Sequence, residues 1–286
     1  DSLHGVPFAA LFDARRRRYL IEDHTVIVSP AFTLFAQHAT STTDWRTARD
    51  LRAIVVTNPK TTGVITAQLP RLPGADAEAA HMAGLFADVR ILRDAEATQS
   101  GLRAALPGGQ ILHVASHARV NYRAPWHSYF VLAPDGGRPG EELLFMSDLS
   151  SLPLGDPRLA VLAACGSADG PVALGGASLS LARPFLTAGV PNVIASLWPV
   201  SDRASRALFT DFYSHVVQST PPAMALRSAQ LAMLRNPGAG LQSPTFWAPF
   251  VAIGGTSSGR NGAAGSLSTR STVRSTLNEV RDERVR

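Results

Sequence analysis

The sequence predicts an α/β protein in which helices cover both faces of a mostly parallel sheet. Short continuous apolar runs, which are typical of strands buried on both faces, recur along the chain. Segments with apolar residues at helical spacing separate these runs over about 200 residues, and such alternation favours parallel strands joined by crossover helices. A hydrophobic content of 45% with 17% charged residues is typical of a chain that folds around a large core.

Residues 1–50 are predicted to form a β-rich N-terminal extension or subdomain. Four consecutive arginines at residues 15–18 are interpreted as a solvated hairpin turn. Contact with a partner or an upstream domain is the second interpretation of this cluster, and phosphate binding is the third. The β-branched run in YLIEDHTVIVSP (residues 19–30) predicts a strand after the turn.

Residues 51–255 are predicted to form the main domain. The apolar run LRAIVVTNP (residues 51–59), closed by Asn-Pro, is the first candidate for a central strand. Further strands are predicted at residues 89–92, 111–118, 128–134, 158–165 and 190–200. Helices are predicted at residues 75–89, 95–106, 177–189, 202–217 and, from 221 or 222, to 235, before an aromatic-rich segment at 246–255.

Residues 256–286 are predicted to be a disordered tail, because Ser, Thr, Gly and Arg follow one another there without periodicity. The tail contains six arginines and three acidic residues, so it carries +3 of the total net charge of +5. The remaining +2 on the body argues against nucleic-acid binding. Binding of nucleic acid through the tail is kept as an alternative.

The single cysteine excludes an intramolecular disulfide and a cysteine-rich zinc site. An unpaired thiol is easiest to keep in a reducing compartment, so we expect the cytoplasm. No apolar run reaches the roughly 18 residues that a membrane span needs. The sequence does not open with a charged and then apolar leader, so we expect no secretion. The sequence begins without methionine, so we expect a segment of a longer protein.

Two apolar runs deliver reactive side chains at their carboxyl ends. ILHVASHA (residues 111–118) contains His117, and RLAVLAAC (residues 158–165) ends in Cys165. Ligands and chemistry collect at the carboxyl edge of a parallel sheet, so neighbouring strands would place His117 beside Cys165 as base and nucleophile. Gly166 and a glycine-rich loop follow the cysteine and favour an accessible thiol. The alternative is a buried, inert cysteine and a structural histidine.

Other chemistries are disfavoured by spacing or by missing motifs. His113 and His117 would lie about 13 Å apart on a strand, too far to share one metal ion, so we expect no metal site. His113 is interpreted as a core residue or a support for the site. The sequence contains no G-x-S-x-G elbow and no phosphate-binding G-x-x-x-x-G-K-[ST] loop. Gly175 and Gly176 could hold an anion, although flexibility beside the nucleophile explains them more simply.

LHVASHA and VLAACGSADG resemble the histidine and cysteine motifs of the CHAT family, which comprises caspase- and separase-like cysteine peptidases that often follow helical repeats. The resemblance extends in order over about residues 3–255, through GVPFAALF, LPGADAEA, LARPFLTAGVPNVIASLWPVSD and TFWAPFVAIG. It implies a caspase-like fold and a cysteine endopeptidase with a His117–Cys165 dyad. It also implies a protein or peptide substrate, no cofactor, and an upstream TPR-like domain or regulatory partner.

The resemblance further implies an oxyanion hole and a substrate-binding strand. The backbone N–H groups of Ala118 and Cys165 would stabilise the oxyanion. The substrate backbone would add as a strand along Ser196, Leu197 and Trp198.

Asp169 and Asp202 are the acidic residues expected to face a basic substrate side chain. The alternatives are a helix N-cap for Asp202 and an exposed loop carboxylate for Asp169.

The sequence departs from the family pattern beside both members of the dyad. Ala118 stands where the family usually has glycine. Gly166, Ser167 and Ala168 stand where it usually has an acidic residue followed by Thr-Gly. These changes favour the alternative function, a catalytically inactive interaction or scaffold module with the same fold.

Overall fold

A seven-stranded sheet forms the centre of the protein. The structure, a computed structural model, describes residues 3, 5–29, 44–62, 66–136, 138, 140–171 and 180–254. The predicted tail and the pair Gly175 and Gly176 lie outside the described residues.

The strands of the described chain are short and are numbered here in chain order. They are β1 (Phe12–Asp13), β2 (Arg18–Tyr19), β3 (Ile27–Val28), β4 (Arg52–Pro59), β5 (Asp88–Asp94), β6 (Ile111–Ala115), β7 (Ala118–Arg119), β8 (Tyr129–Val131), β9 (Leu143–Phe145), β10 (Leu159–Leu162), β11 (Asn192–Ser196) and β12 (Phe250–Gly254).

The helices of the described chain are numbered in the same way. They are α1 (Leu20–Asp23), α2 (Pro73–Leu85), α3 (Gln99–Ala105), α4 (Met146–Leu149), α5 (Arg183–Thr187), α6 (Asp202–Val216), α7 (Pro222–Arg235) and α8 (Pro244–Trp247). Short 3-10 turns occur at Phe8–Ala10, Trp45–Asp50, Leu106–Gly108, Pro125–His127 and Pro237–Ala239.

The central sheet has the strand order β3-β12-β11-β10-β6-β4-β5. All neighbouring strands are parallel except β11 and β12, which pair antiparallel. Two smaller antiparallel sheets accompany it, the β1–β2 hairpin and the three-stranded sheet β7-β8-β9.

Both faces of the central sheet are covered, which confirms the predicted α/β class. In β4, Ala53 and Val55 pack with residues of α2, α6 and α7, whereas Ile54 and Val56 pack with residues of α3, α5, β8 and β9. Because successive strand residues alternate between two buried faces, the strand must be apolar at every position. This is the physical reason for the continuous apolar run in the sequence.

The N-terminal segment packs onto the same sheet. The turn after β1 contains the first three arginines of the cluster, and the Asp13 carboxylate accepts hydrogen bonds from the N–H groups of Arg15 and Arg16 at 2.8 and 3.2 Å. A hairpin turn was predicted here. β3 then extends the central sheet at its edge by pairing with β12.

Several predicted boundaries are wrong by a few residues. α2 ends at Leu85 rather than at 89, because β5 already begins at Asp88. α5 begins at Arg183 with a proline in its first turn, later than the predicted residue 177. No helix within the described ranges is long and apolar enough to cross a membrane.

Candidate active site

His117 and Cys165 follow two neighbouring parallel strands at the same level. The pairing of β6 with β10 matches each residue with the one 48 positions later, from Ile111 with Leu159 to Val114 with Leu162. His117 and Cys165 are separated by the same 48 positions. Both residues come just after their strands end, at the carboxyl edge of the sheet, and both are partly exposed.

One cleft of about 180 Å³ is lined by both residues. Its wall continues through the start of α2, the ends of β6, β10 and β11, and the start of α6. The other lining residues are Leu72, Ala75, Glu78, Ala115, Ser116, Ala163, Ala164, Ser196, Val200, Asp202, Ser205 and Phe250. The thiol and the imidazole therefore border a common space that a ligand can enter.

The imidazole of His117 is held by a main-chain carbonyl. Its Nε2 lies 2.8 Å from the carbonyl oxygen of Pro70. A carbonyl oxygen only accepts, so Nε2 carries the hydrogen and Nδ1 of the neutral ring is left as an acceptor. An acceptor nitrogen in a fixed ring is what a general base requires. Sequence reasoning missed Pro70, because a main-chain carbonyl has no signature in the sequence.

Two side chains clamp the segment of residues 70–75 that carries this carbonyl. The carboxamide of Asn58 donates to the Leu72 carbonyl at 2.8 Å and accepts from the Leu72 N–H at 2.7 Å. The Asp202 carboxylate accepts from the N–H groups of Gly74 at 2.5 Å and of Ala75 at 3.2 Å. These bonds attach the start of α2 to β4 on one side and to α6 on the other.

Asp202 thus lies in the cleft with its carboxylate engaged by main-chain donors. It is the first residue of α6 and not its N-cap, which is Ser201. The alternative interpretation of Asp202 as a helix N-cap is therefore wrong. Asp202 instead binds the amino end of a different helix, α2, where a negative charge is favoured.

Among the residues that the structure describes, the N–H groups of the two predicted oxyanion donors have no hydrogen-bond acceptor. Among the described residues, no acceptor takes the N–H of Cys165. The carbonyl of His117 accepts from the Val131 N–H at 2.8 Å. Because antiparallel pairs alternate, the next pair, Ala118 with Phe130, is not hydrogen-bonded. The Ala118 N–H therefore points away from β8.

The loop after Cys165 is held by the end of β11. Gly166 has a φ of +65°, which a side chain would strain, and its N–H donates to the Ser196 hydroxyl at 3.1 Å. The Ser196 N–H donates to the Ser167 hydroxyl at 3.0 Å, and its carbonyl accepts from the Ala168 N–H at 2.8 Å. The N–H and the carbonyl of Ser196 are thus both engaged in hydrogen bonds within the chain.

The predicted substrate strand is accordingly less open than expected. β11 lies between β10 and β12 rather than at an edge, and the Leu197 N–H donates to the Pro249 carbonyl at 2.9 Å. Trp198 comes next and is partly exposed, and its indole N–H donates to the Thr245 carbonyl at 3.2 Å. Within the described chain, the main-chain groups of Trp198 have no partner. Within the described ranges, Trp198 is the one of the three predicted residues whose N–H and carbonyl are both free for pairing.

Asp169 does not line the cleft. Its carboxylate accepts a hydrogen bond from the Tyr122 hydroxyl and one from the Gly170 N–H at 2.8 Å. The bond to Asp169, together with desolvation, raises the pKa of Tyr122 to about 12. Asp169 therefore ties the post-cysteine loop to the β7–β8 connection.

A buried polar network lies beside the cleft. His113 is bonded through Nδ1 to the Tyr213 hydroxyl and through Nε2 to the Glu78 carboxylate, each at 2.9 Å. Burial raises the pKa of Glu78 against the opposing effect of His113, and burial followed by the charge of Glu78 raises the pKa of Tyr213. With both nitrogens engaged, His113 is a core residue that supports the site.

Glu78 is a second site residue that sequence reasoning missed. The signal was available, because Glu78 falls on the helix face of Ala75, Ala79 and Met82, where an acidic residue is out of place. Over the described ranges, no three His, Cys, Asp or Glu residues group as metal ligands.

The fold and the site define a caspase-like α/β domain with a histidine and a cysteine at the carboxyl edge of its sheet. The CHAT domain family model matches residues 1–255. The chain therefore belongs to the CHAT domain family, and the resemblance seen in its motifs is confirmed.

Relatives of known sequence are much longer than this chain. Tetratricopeptide repeat protein 28 of Mus musculus is 26% identical over 294 residues, which cover 88% of this chain and 12% of the mouse protein. Its Homo sapiens counterpart is 24% identical over 289 residues, which cover 88% of this chain and 11% of the human protein.

A solved structure confirms the caspase-like architecture. A chain of the Saccharomyces cerevisiae separase–securin complex matches with a TM-score of 0.57 and 15% identity. The match covers 88% of this chain and 15% of the yeast chain. At this identity the likeness concerns the fold.

Proposed function

We propose that the chain is a cysteine endopeptidase that cleaves protein or peptide substrates through a His117–Cys165 dyad. The observation that carries the proposal is the shared cleft, which both residues line just after the ends of neighbouring parallel strands. The Pro70 carbonyl supports it, because it leaves Nδ1 of His117 as the acceptor.

The reaction is acyl transfer. Nδ1 of His117 takes the proton of the Cys165 thiol, and the thiolate attacks the scissile carbonyl carbon. The N–H groups of Cys165 and Ala118 hold the resulting oxyanion. His117 returns the proton to the leaving amine as the C–N bond breaks. Water then hydrolyses the thioester, with His117 taking its proton, and this sequence of steps needs no cofactor.

The cleft suggests how a substrate binds. A substrate backbone would pair with Trp198, which follows the strand end occupied by Ser196 and Leu197. Asp202 would contribute negative charge to the wall of the cleft and favour a basic substrate side chain. Asp169 would act indirectly, through the position of the loop after Cys165.

We further propose that the domain is the effector part of a larger regulated protein. The matched relatives are named for tetratricopeptide repeats, and this chain spans only 12% of the mouse relative. An upstream helical-repeat domain or regulatory partner would then control the cleft. The free thiol suits a reducing compartment, so the cytoplasm is the proposed location.

A catalytically inactive interaction module is the second candidate function. The observation in its favour is the departure from the family pattern beside the dyad, at Ala118 and at Gly166, Ser167 and Ala168. Such a module would keep the cleft as a binding surface without a reactive thiol.

Labelling with a thiol-reactive peptide probe at neutral pH tests the proposal. The native chain should label at Cys165 faster than the urea-unfolded chain, and His117→Ala should slow labelling about 100-fold. His24→Ala, an exposed histidine away from the cleft, is the matched control and should label like the wild type. Labelling of the native chain no faster than that of the unfolded chain would refute the peptidase and support the interaction module.

A further inference from the structure

The hydrogen bond to the Pro70 carbonyl determines which nitrogen of His117 is free to act as the base. Side chains that hold Pro70 in place therefore affect the protonation pattern of the proposed dyad. Pro70 itself is exposed, and it lies two residues before Leu72 and three before the start of α2. The carbonyl therefore has no helical or strand ladder of its own. Its position depends on side chains that bind the segment of residues 70–75.

Among the buried side chains that bind this segment, Asn58 contacts the residue closest in sequence to Pro70, which is Leu72. It is 5% exposed, and its carboxamide satisfies both the N–H and the carbonyl of Leu72. Arg71 also contacts the protein, through Asp94 at 2.8 Å and Asp76 at 3.3 Å, but the side chain of Arg71 is 62% exposed. Ion pairs this exposed contribute little to holding a backbone in place.

The local backbone explains why an asparagine stands at this position. Asn58 has a φ of +40°, a left-handed conformation that asparagine tolerates better than most residues. The pairing of β4 with β5 shifts register between Thr57 and Pro59, so Asn58 lies in an irregularity of the strand. A carboxamide can accept from a main-chain N–H and donate to a main-chain carbonyl at the same time, which a carboxylate or an alkyl group cannot do.

We propose that Asn58 is a positioning residue for His117. By clamping Leu72 it holds the Pro70 carbonyl on Nε2, and it thereby keeps Nδ1 as the acceptor nitrogen of the ring. The role of Asn58 in catalysis rests on the proposed function of the dyad. The effect of Asn58 on the tautomer of His117 is independent of that function.

The experiment compares Asn58→Asp and Asn58→Ala with a matched control in the chain of 286 residues. Asn192 is the control, because it is 6% exposed, and its carboxamide donates to the Arg158 carbonyl at 3.1 Å. It is the first residue of β11, and it lies at the amino end of this strand, whereas the cleft lies at the carboxyl end. Asn192→Asp thus removes a comparable buried amide without touching residues 70–75.

The first readout is the tautomer of His117, measured by NMR of chain labelled with ¹⁵N-histidine. The signals of His117 are assigned by their absence in His117→Ala. The wild type and Asn192→Asp should show the neutral ring with hydrogen on Nε2. Both Asn58 variants should lose this preference and show a mixture of tautomers, because the unpaired Leu72 groups let the segment move.

The second readout is the rate at which a peptide probe labels Cys165. Asn58→Asp and Asn58→Ala should label about 100-fold more slowly than the wild type, the penalty typical of a misplaced reacting group. Asn192→Asp should label at the wild-type rate. Melting curves of all variants show that the comparison is made on folded protein.

The outcomes separate this inference from the proposed function. A wild-type ring with hydrogen on Nδ1, or an unchanged tautomer in a folded Asn58 variant, would overturn the positioning role. If neither variant folds, the wild-type tautomer decides. The two readouts can also disagree. If the His117 tautomer depends on Asn58 but Cys165 is labelled no faster than in the unfolded chain, the positioning role is retained and the peptidase is rejected.

Discussion

Gly74→Ala should destabilise the protein, although a change from glycine to alanine in a helix ordinarily stabilises it. Gly74 is the second residue of α2 and is buried. A Cβ at this position would lie 2.6 Å from the Asp202 carbonyl oxygen and 2.7 Å from both Cγ and Oδ1 of Asp202. Carbon atoms in contact normally stay about 3.5–4.0 Å from their neighbours, so the helix or Asp202 must move.

The magnitude follows from what is lost and what is gained. Moving Asp202 weakens its hydrogen bonds with Gly74 and Ala75, and hydrogen bonds to a charged group contribute about 1.5–3 kcal/mol each. The gain from replacing a helical glycine is at most about 1 kcal/mol. Partial loss of the bonds with overpacking therefore leaves a net decrease of about 2 kcal/mol in the free energy of unfolding.

The same helix supplies the control. Gly84 also lies in α2, it is exposed, and a Cβ there would meet nothing within 4 Å. Gly84→Ala should increase the free energy of unfolding by about 0.5–1 kcal/mol. Urea unfolding of both variants measures the two values. A Gly74→Ala variant as stable as Gly84→Ala would show that Asp202 does not hold the start of α2 as described.

Two further predictions concern titrating groups. Burial raises the folded-state pKa of Glu78 above its ordinary value of 4.5. The contribution of Glu78 to wild-type stability should therefore fall as pH rises from 4.5 toward the folded-state pKa, because the folded state holds the proton more tightly. Glu78→Gln removes this loss, so the stability of the variant relative to the wild type should increase with pH. Urea unfolding at several pH values measures this difference in the free energy of unfolding. A difference that does not change with pH would contradict the raised pKa of Glu78. Asp169→Asn should lower the pKa of Tyr122 from about 12 toward 10, because the negative charge beside the hydroxyl is removed and a neutral carboxamide oxygen is a weaker acceptor. Ultraviolet titration of the tyrosines measures that shift, and an unchanged titration curve would refute the contact.

Much of the fold could be predicted because buried strands leave a strong pattern. β4, β6 and β10 each read as continuous apolar runs, since both faces of each strand are covered. The ends of the elements were less predictable. Their limits depend on where the neighbouring strand or helix stops, and that is a property of the packed molecule.

The candidate site could be predicted in part. His117 and Cys165 could be proposed for it because strand ends, and the carboxyl edge of a parallel sheet, can be located from hydrophobicity. Pro70 and Asn58 could not be found this way. Pro70 acts through a main-chain carbonyl, and Asn58 contacts a residue 14 positions away through a turn that has no repeating pattern.

The sequence by itself determined the layered α/β class, the apolar strands and the positions of His117 and Cys165 after two of them, because each depends on local composition and period. Only the tertiary structure decided the partners of these side chains. It placed β11 inside the sheet and thereby closed Ser196 to a substrate strand. It also brought Asp202 to the start of α2, 127 positions away from Ala75. Contacts of this kind arise from the packing of elements distant in the chain, and hydrophobic periodicity carries no information about them.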